Sequence, residues 1–142
     1  MSENKRNVNL KIKTIQKLLN DDPEEFELLT DADYECLPDG SIAITYDDSI
    51  ATGVKGRSTI LCSGNGTAKV TRDGESPSEI VLEKAKTHHC QYATPFGSIF
   101  ISVTTSEIDN ALNEDGGELH FRYAIDTMTG GLLETEVFVS VG

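Results

Sequence analysis

The chain has 142 residues, 24 of them acidic and 12 basic, for a net charge of −12 and an isoelectric point near 4.5. That length suits one domain, spanning 1–142, able to bury about two thirds of its unfolded surface. A surface of this sign repels phosphate backbones and argues against nucleic-acid and anionic-membrane binding. No apolar run approaches the roughly 20 residues of a membrane-spanning helix. The first residues are charged and alternating, without the apolar core of a secretory signal, so a cytoplasmic location is expected. Cys36, Cys62 and Cys90 are odd in number and lack a C-x-x-C pair, so they are expected to be reduced and buried.

Period two dominates the chain from its start. Val8, Leu10 and Ile12 alternate with Asn9, Lys11 and Lys13; after the polar turn at Asp21-Asp22-Pro23, a longer alternation runs from 25 to 36. There Phe26, Leu28, Thr30, Ala32, Tyr34 and Cys36 take one side, while Glu25, Glu27, Asp31, Asp33 and Glu35 crowd the other. A half-buried strand with an acidic outer face explains this charge run, and a paired strand would set lysines against glutamates.

Short strands follow at regular spacing. Pro38-Asp39-Gly40 leads into Ile42, Ile44 and Tyr46; Gly64-Asn65-Gly66 separates two further strands, as a hairpin needing positive φ would. Strands then run through 79–86 and 87–94, turn at Thr94-Pro95-Phe96-Gly97, and resume with Ile99, Ile101 and Val103 on one face. Ser106 suits the cap of a short helix carrying Ile108, Ala111 and Leu112, with a long hairpin turning at 113–117 as the rival reading. The final strands set Leu119, Phe121, Tyr123 and Ile125, then Leu133, Thr135, Val137, Val139 and Val141, on single faces. Nine or ten short strands make an all-β protein, a sandwich or an up-and-down barrel.

Tyr46, Gly53, Thr59, Arg72 with Gly74, Tyr92 with the Thr-Pro-Phe-Gly corner, Thr105 with Ile108, Gly116-Gly117 and Tyr123 occur here in one order. That order, from about residue 8 to 141, resembles the small bacterial YwiB-like family, whose function is unknown. The resemblance implies a single antiparallel calycin- or lipocalin-like β-barrel of about eight to ten strands with at most one short helix. Within such a fold the corner is architectural: Pro95 fixes φ, Thr94 is pushed extended, and Gly97 allows the tight turn.

A small barrel is either filled by side chains or holds one small ligand. The implied pocket lies at one mouth, and its candidate residues are Tyr46, Thr59, Arg72, Tyr92 and Arg122, with an arginine to grip a carboxylate or phosphate. Against this stands the ordinary reading, in which the arginines pair with outer-face carboxylates such as Glu118 or Asp126 and the tyrosines sit at core or rim positions. His88, Cys90 and His120 fit no zinc-binding spacing, so neither metal nor cofactor is assigned. No nucleophile elbow or phosphate loop is present, and no catalytic residue is assigned. The reading is therefore a non-enzymatic barrel for a small, partly apolar ligand. The alternative is a protein-interaction or homo-oligomerisation domain with a packed interior, acting as a homodimer. An enzyme on the same scaffold comes third.

Overall fold

The alternation becomes ten antiparallel strands in the computed structural model, which describes residues 5–18, 22–47, 56–63, 66–74, 78–94, 97–126 and 132–142. They are β1 (Lys5–Leu18), β2 (Glu24–Cys36), β3 (Ile42–Asp47), β4 (Gly56–Cys62), β5 (Thr67–Gly74), β6 (Ser78–Glu83), β7 (Lys86–Thr94), β8 (Gly97–Asn113), β9 (Gly116–Asp126) and β10 (Leu132–Val141). Each strand pairs with its neighbours in sequence, and β10 closes the ring onto β1. The result is an up-and-down barrel consistent with the calycin-like expectation, and the sandwich is excluded. Closure is uneven, because β2 pairs with β3 only from Asp33 to Cys36 and β7 pairs with β8 only as far as Thr105.

The short helix after Ser106 does not form. Residues 106–113 are the second half of the 17-residue β8, whose register with β9 runs from Glu107↔Arg122 to Asn113↔Gly116. Ile108 and Leu112 pack against the core while Ala111 is exposed, so the apolar positions follow period two. A helix here would also leave the first half of β9 without a partner on this side.

Inward-facing side chains from the strands form one apolar core, including Leu10, Tyr34, Ile44, Leu82, Val103, Leu119 and Val139. Outside, the β1–β2 hairpin carries the expected charge pairs, and they are diagonal: Lys11 to Glu27 at 3.6 Å and Lys13 to Glu25 at 3.3 Å. Both are open to solvent, so each contributes roughly 0.2–1 kcal/mol.

The barrel has two distinct ends. The tight turns joining β2–β3, β4–β5, β6–β7 and β8–β9 gather at one end. Leu18, Asp47, Gly56, Thr94, Gly97, Asp126 and Leu132 mark the other. Thr94 and Gly97 pair directly, so the chain reverses between them; Pro95 and Phe96, together with Gly53 and Asn65 of the sequence patterns, lie outside the described residues. One reversal has no turn residue at all. Ala85 takes φ 65° between β6 and β7, with its N–H on the Thr105 carbonyl at 2.8 Å and Lys86 against Glu83 at 3.0 Å.

Candidate functional site

Opposed residues on neighbouring antiparallel strands share a face. Following the register from β3 to β7 gives one row: Tyr46, Ser58, Arg72, Ser78 and Tyr92. It is an inner row, because Ser58 is buried and Ile44 and Ile60, two positions away, are core. Two of the five sequence candidates, Tyr46 and Arg72, therefore lie in one inner row with Ser58 between them, and Tyr92 takes the register position two strands beyond Arg72. The side chains of Ser78 and Tyr92 lie outside the described residues. Arg72 is half-buried, and its guanidinium lies against Gly56, where an added β-carbon would come within 2.9 Å of Nη2 and collide with the Asp73 carbonyl. The glycine at 56 is what makes room for that cation.

A second inner row runs through β8, β9, β10 and β1: Thr105, Tyr123, Thr135 and Gln16. Thr105 and Thr135 are each 1% exposed, and neither hydroxyl has a hydrogen-bond partner among the described residues. A buried hydroxyl left so costs about 1–3 kcal/mol, and such groups in native proteins call for an explanation. The Tyr123 ring stacks on Phe121 at 5.9 Å. In a ring of ten strands β5 lies opposite β10, so the strand of Arg72 faces that of Thr135 across the lumen.

At this end the described apolar residues reach solvent. Leu18 and Phe26 continue the inward lines of β1 and β2, yet are 47% and 51% exposed. Leu18 pairs with Leu133, and Leu133 with Ile125, giving an apolar lip above the hydroxyl row. The opposite end is stoppered: the Tyr34 hydroxyl donates to the Asn113 carbonyl at 2.7 Å, and Arg6 donates to the Glu114 carbonyl at 2.7 Å while lying over the Tyr34 ring.

Thr59 and Arg122 do not join this arrangement. Thr59 faces outward, its hydroxyl 3.2 Å from that of Thr45. Arg122 lies on the outer face, donating to Glu136 at 3.0 Å, which strengthens its own hold on the proton. Glu136 also accepts from Nε2 of His120 at 2.7 Å, and that bond, followed by the one from Arg122, holds its carboxyl below the usual range. Beside them runs an outer groove of about 520 Å³ lined by Ile15, Lys17, Arg122, Ala124, Glu134 and Glu136. Cys90 is buried, His88 meets Glu83 at 3.0 Å, and His120 is bound up in the outer cluster, so these three do not converge. The inner residues that sequence reasoning passed over are Gln16, Ser58 and Thr135. Their one signal is a polar group falling on an apolar line of alternation.

A family profile described as Domain of unknown function (DUF1934) matches residues 10–137. No curated protein matches the chain. Among solved structures, the YwiB protein from Bacillus subtilis is similar over 99% of this chain and 94% of its own, with a TM-score of 0.77 and 18% sequence identity, a likeness of fold. The chain belongs to the DUF1934 family.

Proposed function

We infer that the end of the barrel marked by Leu18, Asp126 and Leu132 binds a small, partly apolar ligand with an anionic group. The observation that carries this reading is the pair of buried, unpartnered hydroxyls of Thr105 and Thr135, set in a lumen whose opposite wall presents Arg72. The exposed apolar lip of Leu18 and Phe26 supplies a surface for the ligand's hydrocarbon part. Arg72 is suited to a carboxylate or phosphate, because a guanidinium forms paired, charge-assisted hydrogen bonds with either. The residues named in the two rows are hydrogen-bonding groups and one cation, and the register continues the second row to Glu24 beyond Gln16 and to Lys86 beyond Thr105.

The test uses an anionic anilinonaphthalene sulfonate and an uncharged naphthalene analogue, with fluorescence titration of wild type and Arg72→Ala. An arginine-to-anion bond is worth about 1.5–3 kcal/mol, so the variant should lose roughly 10- to 100-fold for the anionic probe and little for the neutral one. Failure of wild type to bind either probe would remove the proposal. Solution dimers would then favour the interaction-domain alternative. Its weakness is that the exposed Leu29 and Phe138 are separated in register by Lys11 and Lys13 and form no continuous patch.

A further inference from the structure

The register of β8 changes at one point, and that change decides what faces outward next to His120. Thr105 opposes Tyr123, but Glu107 opposes Arg122, leaving Ser106 as the extra residue of a β-bulge. Ser106 closes the bulge by donating its hydroxyl to the Arg122 carbonyl at 3.2 Å. Before the bulge the odd-numbered residues Val103 and Thr105 point inward; after it Ile108 and Leu112 do. The bulge therefore turns Glu107 and Asp109 from the lumen to the outer surface. Bulges re-aim side chains in this way beside functional sites.

On that surface the donor atoms of Glu107, Asp109 and His120 lie within 4.8 Å of one another. The imidazole is fixed on both sides. Its ring stacks on Phe138 with centroids 4.6 Å apart, and its Nε2 reaches a Glu136 oxygen at 2.7 Å. A carboxylate only accepts, so Nε2 donates to it, and Nδ1 is left turned outward. Nδ1 faces Asp109 Oδ2 at 3.5 Å, with Glu107 beside it. Three ligand atoms of the types that bind divalent metals thus converge on one point.

We propose that Glu107, Asp109 and His120 Nδ1 form a site for a first-row divalent cation of the zinc or cobalt(II) kind, on the outer face of β8 and β9. One imidazole and two carboxylates are the ligand types zinc accepts, and three protein ligands leave room for water. Bond lengths of about 2.0–2.2 Å bring donor atoms to about 3.4 Å apart, a closure of roughly an ångström that the 77%-exposed Asp109 side chain can supply by rotation. Glu136 is the orienting partner behind the histidine, as carboxylates are in many zinc sites. Arg122 opposes the cation, but the three carboxylates around it leave the cluster net negative. The site is independent of the ligand reading of the lumen.

The test is titration of chelator-treated protein with cobalt(II), read by visible absorption and calorimetry, with circular dichroism confirming that each variant is folded. One equivalent should bind to wild type. His120→Ala should abolish that binding, and Glu107→Gln and Asp109→Asn should each weaken it at least tenfold. Glu136→Gln should weaken it 10- to 100-fold, the usual effect of losing a histidine's carboxylate partner. Equal binding by wild type and His120→Ala would overturn the proposal. So would wild type that binds no cobalt(II) and shows a proton on His120 Nδ1 by nitrogen-15 spectroscopy at neutral pH, since the cation would then be the proton.

Discussion

The Tyr34 hydroxyl donates to the Asn113 carbonyl oxygen at 2.7 Å, tying β2 to the far end of β8 across the stoppered end of the barrel. Tyr34 has no solvent exposure, and burial, reinforced by the nearby Cys36, pushes its hydroxyl up to about 12. The folded state therefore keeps a proton that the unfolded chain releases near pH 10. The stability this contributes is full below pH 10 and is lost as pH rises toward 12. Tyr34→Phe should cost about 1 kcal/mol at neutral pH and make the decline between pH 10 and 12 shallower, as measured by urea unfolding across that range. An unchanged slope would show that this hydroxyl does not govern base sensitivity.

Gly56 and Arg72 form a second testable pair. Any side chain at 56 meets the Asp73 carbonyl and the Arg72 guanidinium. Gly56→Ala should destabilise the barrel by about 1–3 kcal/mol, the usual cost of overpacking, and should weaken binding of an anionic probe more than a neutral one. Thermal unfolding gives the first quantity and paired fluorescence titrations the second.

The hairpin between β8 and β9 depends on Gly116 and Gly117, with φ of 115° and 124°. A β-carbon at 117 would strike the Ala111 carbonyl, and one at 116 would come 2.6 Å from the Val141 carbonyl oxygen. Gly117→Ala should cost at least about 1–3 kcal/mol, since strained backbone and collision add. A melting temperature equal to wild type would mean that the hairpin relaxes without penalty.

Thiol chemistry reports the packing directly. Cys62 and Cys90 are buried and Cys36 is partly exposed, all three unpaired in disulfides. Burial pushes the Cys62 thiol up to about 12, so it holds little thiolate at neutral pH. Ellman's reagent should modify Cys36 first in the native protein and reach Cys62 and Cys90 only on unfolding. Mass spectrometry of labelled peptides after a short exposure checks the order.

Alternation by itself determined the all-β class, the inner lines of β1, β2, β9 and β10, and the acidic outer face of β2, because side chains on a strand point to opposite sides with period two. The family resemblance added the barrel. Several decisions needed the tertiary structure. Residues 106–113 carry apolar residues at a spacing that suits a helix or a strand, and only pairing with β9 selects the strand. The reversal at Lys84-Ala85 has neither glycine nor proline, and it holds because the Thr105 carbonyl, distant in sequence, receives its amide. Tyr46, Arg72 and Tyr92 fell on alternate strands of one register row, which no single strand contains. Thr59 and Arg122, equally plausible as residues, fell on the outer face. The cluster of Glu107, Asp109 and His120 was invisible in the chain, because one bulged residue inverts the face on which the first two lie. Local sequence sets which positions alternate; the closure and stagger of the barrel set which of them meet.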